Sequence, residues 1–297
     1  MTTPAPLLKL NNGVEMPALG LGVYQSPPEQ TVPAVEAALK DGYRLIDTAA
    51  AYGNEKEVGE GMRRSGVDRD DVFVTTKLWL DDYGYDSALR AFDTSLANLG
   101  LEYLDLYLLH QPVPLEPEPW VAAYKAAEKL LADGRVRAIG VSNHTPGLLR
   151  TLMDSTEVVP AVNQVELHPY FIQRELREVH EKLGITTQAW SPIGGITRYW
   201  QHAPNGGRSA LEEPVVTDLA AKYGKTAAQV VLRWHIEHGL CAIPKSVKAH
   251  RIAENFDVFD FSLTPEEVTA IDALDTGLRS GPDPENIRLD TFGRRTR

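Results

Sequence analysis

Eight short apolar runs recur along the chain, each separated from the next by a stretch of helical period, and this alternation leaves few architectures open. The runs are "ALGLGV" (18–23), "YRLIDT" (43–48), "VFVTTK" (72–77), "LDLYLLH" (104–110), "VRAIGVSN" (136–143), "VNQVEL" (162–167), "TTQAWSP" (186–192) and "CAIPKS" (241–246). Their near-continuous hydrophobicity is that of strands covered on both faces. Between them, "PEQTVPAVEAALKDG", "YDSALRAFDTSLANLG" and "QRELREVHEKLG" each end in a glycine suited to a left-handed helix cap. Eight β/α units in 297 residues predict a single α/β domain over 1–297, a (β/α)8 or TIM barrel. The opening "LLKLNNGVEMPAL" reads as a β-hairpin turning at Asn12-Gly13, placed to cover the N-terminal mouth. Two irregular stretches, 191–214 and 276–297, are long enough to be covers over the C-terminal mouth.

Composition narrows the function. A formal net charge of -11 excludes nucleic acid or an anionic membrane as a general partner. No run of 18 or more apolar residues occurs, and the first twenty residues lack a basic region followed by an apolar core, so a cytoplasmic protein is expected. The single cysteine, Cys241 in "LCAIP", reads as a buried inert thiol and precludes a disulfide within the chain. Eight histidines are scattered; the closest pair, His235 and His238 in "RWHIEHG", lacks ligands at a metal spacing and reads as a solvated helix face, so no metal is expected.

Polar residues gather where strands end. Asp47, Lys77, His110, Ser142, Asn143, Gln164, Trp190 and Lys245 all lie at or near C-terminal strand ends. Singly, each has a bland reading: a solvated lysine, a histidine starting a turn, a core tryptophan. In a barrel, however, these ends converge on one mouth, where active sites of this fold are built. Tyr52 follows Asp47 in "DTAAAYGNE". A phenol with an ordinary pKa near ~10 is a poor proton donor at neutral pH unless a cation stabilises its phenolate. Lys77 can be that cation, Asp47 can keep it charged, and His110 can orient a carbonyl oxygen while Tyr52 protonates it. The chemistry predicted is carbonyl reduction with an external hydride.

Taken together, "DTAAAYGNE", "TTKLW", "LYLLHQP", "IGVSN", "NQVELHPY" and "IPKSVKAHRIAENFDVFDFSLT" resemble the aldo-keto reductases, in the family's order and over nearly the whole chain. Trp190 in "QAWSP" and the run "AAQVVLRWHIEHG" look most like the bacterial branch containing the 2,5-diketo-D-gluconate reductases. The resemblance implies a catalytic tetrad of Asp47, Tyr52, Lys77 and His110. It implies NADPH as cofactor, with Trp190 stacked on the nicotinamide and Ser142, Asn143 and Gln164 on its carboxamide. Gly22, Val23 and Tyr24 would lie near the reacting carbons, and Ser191 and Ile193 would begin the cover over the pyrophosphate.

No G-x-G-x-x-G opens a helix after a strand, and "GLGVYQ" lacks the third glycine, so a Rossmann site is excluded. Lys245, Lys248 and Arg251 instead crowd a predicted helix start in "PKSVKAHRIAEN", where cations oppose the helix dipole unless an anion joins them. A solvated basic face is the alternative. In the family this cluster, with Ser246 and Val247, takes the adenosine 2′-phosphate, while Glu254 and Asn255 hold the adenine. Tyr24, Ala51, Tyr52, Trp79, His110 and Gln111 fit family positions for a small carbonyl substrate, Gln111 standing where many relatives have tryptophan. A monomer is expected. Two other readings stay open: a non-catalytic NADPH-binding regulatory or structural protein on the same fold, and a metal-free barrel isomerase, which Tyr, Lys, Asp and His suit less well.

Overall fold

The computed structural model describes residues 3–194 and 209–290. Eight parallel strands follow one another around the sheet in chain order: β3 (Leu21–Gly22), β4 (Leu45–Asp47), β5 (Phe73–Leu78), β6 (Leu104–Leu109), β7 (Val136–Ser142), β8 (Val162–Glu166), β9 (Thr186–Trp190) and β10 (Cys241–Ala242). The sheet closes on itself, because Leu19 bridges Ala242 and Gly22 bridges Lys245, both in parallel. Seven of the eight strands lie within the apolar runs read from the sequence and β5 extends its run by one residue, to Leu78, as expected where burial on both faces writes each strand as a continuous run.

Period-2 alternation divides each strand between two environments. Leu45, Phe73, Leu106, Leu108, Ala138, Val162, Cys241 and Ile243 pack together inside the barrel, while Ile46, Val74, Tyr107, Ile139, Val165 and Ala189 pack outward with the helices. Each strand's inner residues continue, at its C-terminal end, into the polar ring described below. Below them, the hairpin of β1 (Leu7–Lys9) and β2 (Glu15–Pro17) supplies Leu10 and Met16 to the inner cluster. Asn12 donates to the Arg137 carbonyl at 2.8 Å and Asn11 to that of Pro160 at 3.1 Å, tying the hairpin to the entries of β7 and β8.

The helical sequences fold where their caps place them. α1 (Pro28–Asp41), α3 (Tyr85–Leu99) and α6 (Arg174–Leu183) each stop at a glycine with positive φ: Gly42, Gly100 and Gly184. The other helices are α2 (Glu55–Ser65), α4 (Pro117–Ala132), α5 (Pro146–Met153), α7 (Pro214–Tyr223), α8 (Ala227–Glu237), α9 (Ala249–Phe256) and α10 (Pro265–Asp272). Among the described residues no helix is long and apolar enough to cross a membrane. Of the two expected covers, 195–208 and 291–297 lie outside the described residues. The segment 276–290 is described, and it runs over the C-terminal ends of β8 and β9, where Ser280 and Gly281 bond Glu166.

Candidate active site

The centre of the mouth is a buried ion pair. Lys77 comes from β5 and Asp47 from β4; Lys77 Nζ donates to Asp47 Oδ1 at 2.6 Å and to the Thr48 carbonyl at 2.8 Å, and both side chains are out of solvent. The same ammonium donates to the Tyr52 hydroxyl at 3.4 Å and lies 5.0 Å from that ring's centroid. Desolvation pushes the lysine's pKa down and the aspartate's up, and their mutual attraction opposes both shifts. Asp47 also accepts from Gln164 Nε2 at 2.7 Å, which adds to the support of its charge. The His110 ring meets Tyr52 edge-on at 5.5 Å between centroids and Trp79 at 5.0 Å. Tyr24, largely exposed, stands edge-on to Tyr52 at 5.0 Å. The four residues of the expected tetrad therefore meet, with Tyr24, Trp79 and half-buried Ala51 around them.

The turn carrying Tyr52 is locked from below. Tyr52 closes a single 3-10 turn, Ala50–Tyr52, that ends at Gly53 with φ 66°, a conformation glycine adopts without the Cβ penalty. Asn54, buried, accepts from the Thr48 hydroxyl at 2.8 Å and donates to the Val23 carbonyl at 2.9 Å. Glu55 accepts from the Thr76 hydroxyl at 2.7 Å, one residue from Lys77. The sequence reads Gly53-Asn54 only as a turn and leaves Glu55 without a role; the signal was two polar side chains just past that glycine, both committed once buried.

A second polar chain crosses the barrel from the ion pair. Gln164 donates to Gln188 Oε1 at 2.6 Å, and Gln188 donates to the Cys241 sulfur at 3.2 Å. Gln188 was also missed, although it shares the inward parity of Trp190. Ser142 donates to the Gln164 carbonyl at 2.7 Å. Asn143, with φ 64°, donates to the His110 carbonyl and to Gln111 Oε1, both at 3.1 Å, and accepts from Trp190 Nε1 at 2.8 Å. Ser191 is left-handed too, φ 49°, a conformation that costs a serine roughly 1–2 kcal/mol. Ile193 packs against the outer core beside it.

The basic cluster lies where β10 passes into α9. Lys245, Lys248 and Arg251 are exposed, Ser246 and Asn255 are buried, and Lys248 stands at the N-cap position of α9 without a side-chain cap hydrogen bond. Among the described residues none of the three cations is in an ion pair, in a protein of net charge -11. Ser246 Oγ accepts from the Lys248 amide at 3.1 Å, Val247 between them is half-buried, and Glu254 accepts from the Thr226 hydroxyl at 2.9 Å. Gly22 and Val23 lie at the closure of the barrel, Gly22 bridged to Lys245. Three unpaired cations and a serine around a helix start form a donor set that fits a phosphate dianion.

One expectation is corrected. His235 and His238 do not form a solvated face: His235 is fully buried against the Pro192 carbonyl at 2.9 Å, and burial pushes its pKa down to about 3. His238 bonds Asp272 at 2.8 Å. The apolar face of α8 turns inward at His235 and carries it beneath the start of the long loop. Cys241 is buried, as its run implied, and burial pushes its thiol up to about 12. Among the described residues no group of His, Cys, Asp or Glu could hold a metal ion.

Comparison with known proteins bears on this geometry. The model of the Aldo/keto reductase family matches residues 17–276. The chain is 54% identical over 296 residues to a morphine 6-dehydrogenase of Pseudomonas putida, covering 98% of this chain and 99% of that protein. It is 46% identical over 281 residues to a methylglyoxal reductase of Escherichia coli, covering 95% and 98%. A solved aldo-keto reductase of Bombyx mori, in complex with NADP, superposes with a TM-score of 0.86 at 36% identity, over 93% of this chain and 95% of that one. Barrel, mouth and sequence agree, and the chain belongs to the aldo/keto reductase family.

Proposed function

We propose that this chain is an NADPH-dependent reductase of small carbonyl compounds, working as one barrel domain with Asp47, Tyr52, Lys77 and His110 as its reacting centre. The observation that carries the reading is the wholly buried Lys77 ammonium, bonded at once to Asp47 and to the Tyr52 hydroxyl. A buried lysine without a partner would shed its proton; Asp47 holds it charged, and the charge favours the phenolate that Tyr52 becomes on giving up a proton. Tyr52 is the general acid, delivering its proton to the substrate's carbonyl oxygen. His110 directs that oxygen by hydrogen bonding. The nicotinamide, when bound, supplies the hydride.

The donor set at the α9 start fits the 2′-phosphate of NADPH: Lys245, Ser246, Val247, Lys248 and Arg251 would hold it, with Glu254 and Asn255 toward the adenine. Ser142, Asn143 and Gln164 would meet the carboxamide and Trp190 the ring face. Solved relatives that carry NADP support this. A relative named for methylglyoxal and another named for the morphine 6-position point to dicarbonyls and cyclic ketones as the first substrates to try, with a keto-sugar acid as the third. Gln111, whose side chain is amphoteric in hydrogen bonding, favours polar carbonyls over bulky aromatic ones. The intact cluster around Lys77 speaks against a purely regulatory NADPH-binding protein, which has no need of a phenol poised on a buried ammonium. NADPH oxidation followed at 340 nm against these three classes tests the proposal; binding of NADPH without turnover of any would favour the regulatory reading.

A further inference from the structure

Glu166 is a buried carboxylate in the mouth that carbonyl reduction does not use. It ends β8, two residues beyond Gln164 on the same inward face, directly across from Trp190 in the β8–β9 register. The chain brings it four donors. Ser280 gives its amide at 2.7 Å and its hydroxyl, Gly281 gives its amide at 2.7 Å, and His168 Nε2 lies 2.9 Å away. Burial alone would raise the carboxyl's pKa, and these contacts more than offset it, holding it below the ordinary range.

Ser280 and Gly281 belong to a segment beyond residues 17–276, the span that the family model matches. The segment crosses the mouth, with Arg279 over the Phe171 ring at 5.2 Å and Glu285 accepting from the Thr145 hydroxyl at the start of α5. Gly281 is pressed onto the indole. A Cβ built there would stand 2.5 Å from Trp190 Cη2 and 2.8 Å from Glu166 Oε2. The same indole donates its Nε1–H to Asn143 Oδ1 at 2.8 Å. Trp190 is therefore held at two points, by the strap against its six-membered ring and by Asn143 at Nε1, and Glu166 is what grips the strap.

We propose that Glu166 is a positioning residue: by holding the Ser280–Gly281 strap it fixes the Trp190 indole, and through it the face offered to the nicotinamide. The inference rests on the reading of Trp190 given above. A carboxylate accepts from all four donors, whereas a glutamine has one acceptor oxygen and would turn its own N–H groups toward the strap amides.

The test uses the full chain. Trypsin cleavage after Arg279 is timed by mass spectrometry, and dissociation constants for NADPH and NADH are measured by tryptophan fluorescence, in wild type, Glu166→Gln and Gly281→Ala. Glu166→Gln is expected to speed cleavage about tenfold or more and to weaken both dinucleotides by the same factor, about tenfold, because the nicotinamide end is common to them. Gly281→Ala keeps the carboxylate, but its Cβ would press on both the indole and Glu166 Oε2, and it is expected to weaken both dinucleotides equally, which keeps the inference testable if the glutamine variant does not fold. A strap equally protected in Glu166→Gln overturns the grip. Faster cleavage with unchanged affinity for both dinucleotides overturns the link to Trp190. Wild-type protein that binds neither dinucleotide refutes the cofactor reading itself, a result distinct from either of these.

Discussion

The cluster around Lys77 and the cluster at the start of α9 both rest on lysine, and they treat it in opposite ways. Lys77 is wholly buried and every donor it has is spoken for, by Asp47, Thr48 and Tyr52. Lys245 and Lys248, with Arg251, are exposed and stand without ion-pair partners among the described residues. The first arrangement is complete before any ligand arrives, so reorganisation during a reaction costs little. The second leaves three like charges together against a helix dipole, a repulsion relieved when an anion arrives. On the proposed reading, one region does the chemistry and the other receives charge.

That contrast can be broken most forcefully at Lys77. In Lys77→Met, Asp47 stays buried with Gln164 as its remaining side-chain partner, a loss of about 3–5 kcal/mol in stability, and carbonyl reduction falls by about 10²–10⁴. Calorimetry and the NADPH assay check both. Adding Asp47→Leu should return much of the stability and none of the activity, since the uncompensated charge is gone while the proton relay stays broken.

At the other cluster the effect is smaller and selective. Arg251→Ala should weaken NADPH about ten- to a hundredfold, and less at high salt because exposed charges are screened. NADH should scarcely change. Equal weakening of the two would place Arg251 at the adenine or in the fold and dissolve the contrast.

Gln111→Trp gives a smaller shift still, moving kcat/KM several-fold toward an aromatic aldehyde and away from a dicarbonyl. It also removes the acceptor that Gln111 offers Asn143, so a modest rise in the NADPH Kd should accompany it. A check outside both clusters is at Cys241. With its thiol pushed up to about 12, the native protein should resist iodoacetamide on the order of a hundredfold better than an exposed cysteine.

The sequence carries the strands because each is apolar on both faces, and it carries Asp47, Lys77 and His110 because a polar residue ending such a run stands out. Tyr52 was legible from its neighbours. The pairings were not. Trp190 to Asn143 and Glu166 to Ser280 join residues 47 and 114 apart, and only the closed barrel brings them together. Glu166 left a trace, a charge inside "VNQVEL" on the face of Gln164, but its partners lie in an irregular segment with no period to read. His235 misled because its partner is a backbone carbonyl, which no side-chain pattern announces.

The most direct test of the central claim is the single-turnover rate of Tyr52→Phe, measured by stopped flow with saturating NADPH and a good dicarbonyl, beside the NADPH Kd of the same variant. The phenyl ring keeps the packing against Tyr24 and His110 and loses only the hydroxyl. The account predicts a fall of about 10²–10⁴ in rate with the Kd nearly unchanged. A hydride-transfer rate close to wild type would contradict it, whatever else the mouth of the barrel does.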